Sequence, residues 1–266
     1  MTTGESRAQT IAGLNALPHA ERLEYMRVLV PPALRERFHI SSDFMDPAGR
    51  PLLHWTGKEN SNTVEIALFH EYGAPDPLLY FHLTDTLNQQ IHVLLTVLND
   101  PQSQRFNVDK MPDGGRTHFG VFKRNVAAEA AAMQAGLAPG QIHKGLRALT
   151  PLTEAFEAFV QRLGHSMYFV EPLFYHNAVI FERNGFAYQQ GLRWMQSLNT
   201  RFSPGGDLPP RLDGSTPFRM AEAAHSIRGR SWAIHDGILG EPFTGVTMYK
   251  RIGQPAGIST FPEGNW

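Results

Sequence analysis

Apolar positions at Ile11, Leu14 and Leu17, then at Leu23, Met26, Val28 and Leu29, recur at near-helical spacing. Pro18 divides the run, and Pro31 and Pro32 close it. Residues 33–38 read as a further short helix. The stretch 41–62 carries Asp46-Pro47, Gly49 and Pro51, which is turn chemistry. The period then falls to two over 63–70, 78–85 and 90–98. Val64, Ile66 and Leu68 share one strand face, as do Leu79, Phe81 and Leu83, and as do Ile91, Val93, Leu95 and Val97. The connections 73–77 and 86–89 are short, so the three strands are expected to form an antiparallel meander. A brief edge strand over 105–109 and a strand over 117–123 are expected next.

Helical periodicity returns after Asn125, which caps an alanine-rich stretch, 126–135, carrying Glu129 in its first turn. Leu152, Phe156, Phe159, Val160 and Leu163 mark one face of a helix opened by Thr150-Pro151 and closed by Gly164. Residues 167–171 read as a short buried strand, 175–184 as a helix ended by Gly185, and 186–190 as a strand. Helices are expected over 192–202 and 218–228, and strands over 231–235 and 243–252.

The 266 residues suit one large domain or two small ones. Charged residues make up 18 %, with 24 Lys+Arg against 25 Asp+Glu, so no basic footprint points to nucleic acid. No Cys is present, which excludes disulfides, thiolate metal sites and a cysteine nucleophile. No apolar run reaches the ~20 residues of a membrane span, and the polar N-terminus is not a secretory signal. The expectation is a cytoplasmic protein whose partner is a small-molecule ligand, with no nucleic acid and no membrane.

The order helix, buried strand, helix, Gly-Phe, strand over 150–190 resembles the C-terminal half of the GNAT-type acyl-CoA N-acyltransferase fold. That family's late motif runs approximately N-x-x-A-x-x-L-Y-E-K-x-G-F. The stretch 174–186 matches it at Ala178, Glu182, Gly185 and Phe186, with Ile180 and Arg183 as conservative substitutes. Two positions depart. The family's tyrosine, the acid that reprotonates the leaving thiolate, falls on Phe181, and its asparagine falls on Phe174. The resemblance implies a pyrophosphate loop at the start of the central helix, whose backbone N–H groups cradle phosphates. The nearest candidate is Gln141, His143, Lys144 and Gly145, with spacing off by one.

The expectation is therefore an α+β fold with a mixed or antiparallel central sheet flanked by helices, GNAT-like in its C-terminal part. Residues 1–110 would supply N-terminal helices and the meander, and 111–266 the GNAT-like region with a C-terminal extension, the two being either separate domains or one continuous domain. Acetyl-CoA or another acyl-CoA would give up its acyl group to an amine. Glu171 or His176 would take the amine proton, Tyr188 would serve as a replacement acid, and Gln141, His143, Lys144, Gly145 and Phe181 would contact the cofactor.

Twelve histidines frame the rival reading, because imidazole is both a metal ligand and a base near neutrality. No H-x-H, H-E-x-x-H or H-x-x-x-H is written locally, so a metal would draw on scattered residues: His82, His92, His176, Glu182 and His235. If the meander strands pair, His82 and His92 are expected to approach each other. A non-catalytic ligand-binding scaffold is the third reading.

Overall fold

The computed structural model describes residues 8–117 and 123–266. The strand expected over 117–123 therefore falls largely outside the described residues. Among those described are eight α-helices: α1 (Ile11–Ala16), α2 (His19–Leu29), α3 (Pro32–Arg37), α4 (Val126–Gln134), α5 (Leu149–Arg162), α6 (Tyr175–Arg183), α7 (Leu192–Phe202) and α8 (Ile227–His235). The strands are β1 (Leu53–Thr56), β2 (Thr63–Leu68), β3 (Leu79–Asp85), β4 (Ile91–Leu98), β5 (Met167–Val170), β6 (Ala187–Gln190) and β7 (Thr247–Arg251). They make an α+β protein with a mixed, mostly antiparallel sheet in the order β1-β2-β3-β4-β5-β7-β6. No helix among the described residues is long and apolar enough to cross a membrane.

The chain divides into two compact units. The first takes residues 1–101, 146–171 and 249–254; the second takes 102–145, 172–248 and 255–266.

In the first unit, β1 to β4 form the antiparallel meander and β5 joins β4 in parallel. Strand β1 lies inside the stretch whose prolines and glycine read as turns; its four residues alternate too briefly to show a period. The apolar face of β3 meets α5. Phe81 lies 5.4 Å from Phe156, Phe156 lies 4.9 Å from Tyr168, and Phe159 meets Tyr25 edge-on. Burying each such ring contributes roughly 1.5–3 kcal/mol, so α5 is held by its apolar stripe.

The alternation of β4 is interrupted. His82 of β3 faces Leu95, yet Leu83 faces Val93, so Leu94 is an extra residue without a β3 partner. A one-residue slip exchanges the faces of a strand. Ile91 and Val93 share a face with Thr96 and Leu98 rather than with Leu95 and Val97, and this corrects the continuous period-two reading. The pairing with β5 ends at the same place: His92 faces Phe169, Val93 faces Val170, and Glu171 N–H reaches Val93 O at 3.2 Å.

Helix α1 has a fully capped start. Asp85 accepts from Ile11 N–H at 2.7 Å and Ala12 N–H at 3.0 Å, and the Thr10 hydroxyl oxygen accepts from Gly13 N–H at 2.9 Å. The orphan donors of the first turn are thereby satisfied.

In the second unit, Trp232 is 1 % exposed, stacks on Phe218 and donates its indole N–H to Leu137 O at 2.9 Å. Phe106, Val108, Ala132 and Leu137 form a further apolar cluster. Residues 105–109 carry no strand. The segment expected as a strand over 231–235 is the C-terminal half of α8, and of the helix expected over 218–228 only a 3-10 turn at Ala221–His225 and the first two residues of α8 are helical. The signal was Ser226, whose hydroxyl oxygen accepts from Gly229 N–H at 2.9 Å as an N-cap. Apolar Trp232 and Ile234 two apart imitated a strand.

Replacing Asp85 by Ala is expected to lower stability by ~1–3 kcal/mol, because two half-buried N–H groups lose a charged acceptor. A urea midpoint shifted down with unchanged slope reports that loss, and D85N should recover part of it; an unmoved midpoint would show the cap to be idle.

Candidate functional site

Two places gather the chemistry, one in each unit. In the first unit, β4 and β5 run parallel and share two residue pairs, and β5 ends at Val170 beside the bulge at Leu94. Beyond that point β4 continues to Leu98 over roughly 17 Å of extended chain. At its end lies a cleft of about 170 Å³ lined by Pro31, Ala33, Leu34, Arg37, Leu98, Leu146, Ala148, Pro151 and Leu152. The last four belong to the entry of α5.

That entry contrasts with α1. Ala148 at the cap position offers no side-chain acceptor, and the first turn carries no acidic residue. Arg147 is left-handed at φ 54, and Ala148 follows at φ −111, ψ 25. Successive left- and right-handed residues turn their N–H groups toward one concave side, an anion-binding nest. The N–H groups of Arg147, Ala148, Leu149 and Thr150 meet no acceptor among the described residues. The positive end of a fourteen-residue helix adds to the same field.

The expected loop at 141–145 is otherwise engaged and belongs to the second unit. Gln141 N–H donates to Ala138 O, and the Gln141 carboxamide oxygen accepts from Ala138 N–H at 2.7 Å. Lys144 N–H donates to Ser103 Oγ at 3.1 Å, and buried His143 is bonded to Ser103 through Nδ1. Lys144 and Gly145 are exposed. The Gln141 and Lys144 N–H groups are thus spent within the second unit. The sequence marker was Thr150-Pro151, which located the helix start but not the two residues before it.

Glu171 is exposed at the C-terminal end of β5 in the first unit. Its negative charge acts on His92, whose burial nevertheless lowers the imidazole pKa, so that ring is held neutral. His92 stands opposite Thr84, whereas His82 stands opposite Leu95 and bonds Thr63 through Nε2 at 3.1 Å. The two histidines are therefore not cross-strand partners as expected.

The second unit holds a closed polar network. His176 is 2 % exposed, and its Nδ1 lies 2.9 Å from Ser231 Oγ. Phe174 stacks on the His176 ring and meets His235 edge-on. A side chain on Gly140 would place its Cβ 2.5 Å from that phenyl ring, so a residue at φ +78 without a side chain is required there. His235 donates from Nε2 to Glu129 at 2.9 Å, Arg124 bonds both Glu129 and Asp236, and Asp236 also accepts from Thr216 and Arg219. Burial opposes the charge of Glu129, yet bonds from His235 and Arg124 outweigh it and hold the carboxyl below its ordinary range. Asp236 is lowered in the same way, burial being outweighed by Arg124 and Thr216. Burial and, secondarily, His235 push the His176 imidazole down to about 3.

This arrangement locks helices together and is closed to substrate, since Ser231 is 1 % exposed. Tyr188 donates its hydroxyl to Glu182; burial first, then that carboxylate, raises the phenol above its ordinary range, so its proton stays in place. Glu182 also accepts from Thr260 N–H and hydroxyl at 2.9 and 2.7 Å, which pins the C-terminal segment. Phe181 packs on Phe186 with ring centres 4.9 Å apart. Glu171 and His176 thus fall in different units, each with its own partners. Among the described residues no group of three or more His, Asp or Glu is arranged to hold a metal ion.

No protein-family model matches the chain, and neither a curated protein nor a solved structure matches it.

The His176 assignment has a definite sign. An unfolded imidazole titrates near 6.5 and the folded one near 3, so the unfolded state binds more protons between those values. Stability is expected to fall as pH drops below about 6.5, with Glu129 and Asp236 adding an acid limb below about 4.5. Urea midpoints measured against pH should lose most of the 6.5–4.5 slope in H176N, the remainder coming from the burial-lowered His92, and keep the acid limb. An unchanged slope in that variant would contradict the assignment.

Proposed function

We propose that this chain is an acyltransferase that takes an acyl group from acetyl-CoA or another acyl-CoA and passes it to an amine, using the first unit's parted strands. The observation that carries the reading is the end of the β4–β5 ladder at Val93 and Val170, beside the Leu94 bulge, together with an α5 entry whose N–H groups meet no acceptor among the described residues.

The chemistry of the donor set fits such a ligand. Past Val93, β4 has no β5 partner among the described residues, and its backbone N–H and C=O groups on that side suit another extended chain by strand addition. A pantetheine arm is such a chain, carrying two amides. The nest at Arg147–Thr150 suits a diphosphate, and between edge and nest lies the apolar cleft. Bound there, the thioester supplies an electrophilic acyl carbon.

The chain's own residues hold and move protons. Glu171, exposed at the point where the strands part, takes the proton from the incoming amine as the new C–N bond forms and the C–S bond breaks. Phe181 has no proton to give, and Tyr188 is committed to Glu182, so the leaving thiolate is protonated by water. The neutral His92 beneath Glu171 adds no competing positive charge.

Ala148→Asp separates this reading from a purely structural one. Aspartate is among the best N-cap residues, so the variant should be at least as stable as the parent, by up to ~1 kcal/mol. The same carboxylate would fill the nest and repel a diphosphate. At a hundredfold excess over Kd, acetyl-CoA is expected to stabilise the parent by about 2.7 kcal/mol, a melting rise of roughly 5–10 °C, and to leave A148D unmoved. A parent melting curve unaffected by acetyl-CoA, or a variant stabilised equally, would overturn the proposal.

A further inference from the structure

We infer that the second unit carries a binding site for a sugar ring, in the cavity between the start of α7 and the segment that leads into β7. The site lies wholly in that unit and is independent of the acyl-CoA reading.

The cavity measures about 380 Å³ and is lined by Gln190 at the end of β6, Trp194 in the first turn of α7, and Glu241, Pro242 and Thr244. At ~30 Å³ per water it holds roughly a dozen, which is room for a six-membered ring with its hydroxyl groups. Backbone fixes its shape. Gly191 stands at φ 97, and a Cβ there would lie 2.9 Å from both Gly245 O and Val246 Cγ2. The two segments therefore meet main chain to main chain, which a side chain at 191 would prevent. At Gly245 the opposite holds: the nearest atom to an added Cβ is the Gln190 amide nitrogen at 3.9 Å. The space in front of that carboxamide is kept open.

The lining selects among ligand classes. Trp194 is half-buried, and the Arg201 guanidinium lies over its ring at 5.9 Å, held by two bonds of 2.9 Å to Asp207. The ring already has its cation, and a second one would meet that charge. Glu241 is the charged residue of the lining and repels an anion. The side chains of Gln190, Trp194, Glu241 and Thr244 make no hydrogen bond among the described residues, and together they offer donors and acceptors. A purely apolar ligand would strip water from these groups and give nothing back. The matching ligand is neutral, carries hydroxyl groups that both donate and accept, and has an apolar face for the indole. A sugar ring has all three properties.

The test titrates D-glucose, D-galactose and N-acetylglucosamine into the full chain by calorimetry, with choline and inorganic phosphate as cationic and anionic probes. At least one sugar is expected to saturate with a Kd of about 1 mM, and neither ion is expected to bind more tightly. W194A should weaken that sugar by about tenfold through the lost stacking surface, and W194F should recover part of it. Gln190 is exposed, so Q190A leaves the fold intact; it should weaken the sugar by roughly fivefold, the worth of one hydrogen bond. Melting curves without sugar check that each variant is folded. If no sugar saturates the parent, or if choline or phosphate binds it and the sugars do not, the assignment is overturned. Sugar binding unchanged in both W194A and Q190A places the sugar elsewhere and overturns it too.

Discussion

One extra residue in one strand governs the first unit. Leu94 has no partner on β3, and a bulged strand bends and twists more strongly than its neighbours. That bend coincides with the last bond between β4 and β5, the one from Glu171 N–H to Val93 O. Everything assigned to the site depends on it: the open edge from Leu94 to Leu98, the carboxylate of Glu171 at the parting, and the cleft at the far end. The uncapped start of α5 belongs to the same economy of bonds. In the same unit α1 has its first turn satisfied by Asp85 and Thr10, whereas α2, α3 and α5 start without a side-chain cap.

The second unit is built on the opposite rule. Glu129 and Asp236 are nearly covered, and an uncompensated carboxylate there would cost several kcal/mol. His235, Arg124, Arg219 and Thr216 supply the missing partners. Ser231 and His176 are hydrogen-bonded as a nucleophile and base would be, yet they are sealed beneath Phe174 and Trp266. Pairing makes a network stable; openness makes a site.

Much of the architecture was legible along the chain. The meander strands, the stripe of Leu152, Phe156, Phe159 and Val160 on α5, and the glycine stops at Gly164 and Gly185 follow from local periodicity and left-handed backbone. Reading failed where two elements must be compared. A bulge is a relation between β3 and β4, so the apolar alternation of Ile91, Val93, Leu95 and Val97 concealed it. The loop at 141–145 has the composition of a phosphate site, but whether an N–H is free depends on Ser103 and Ala138, which no spacing rule relates to it. The 231–235 segment failed for a third reason: a cap at Ser226 outranks a two-residue alternation.

Amide hydrogen exchange in the presence and absence of CoA addresses the parted strands most directly. Protection is expected to rise at Leu95–Leu98 of β4 and at Arg147–Thr150, with the second unit's α8 unchanged as an internal reference. Exchange at both stretches that is indifferent to CoA at saturating concentration would contradict the account.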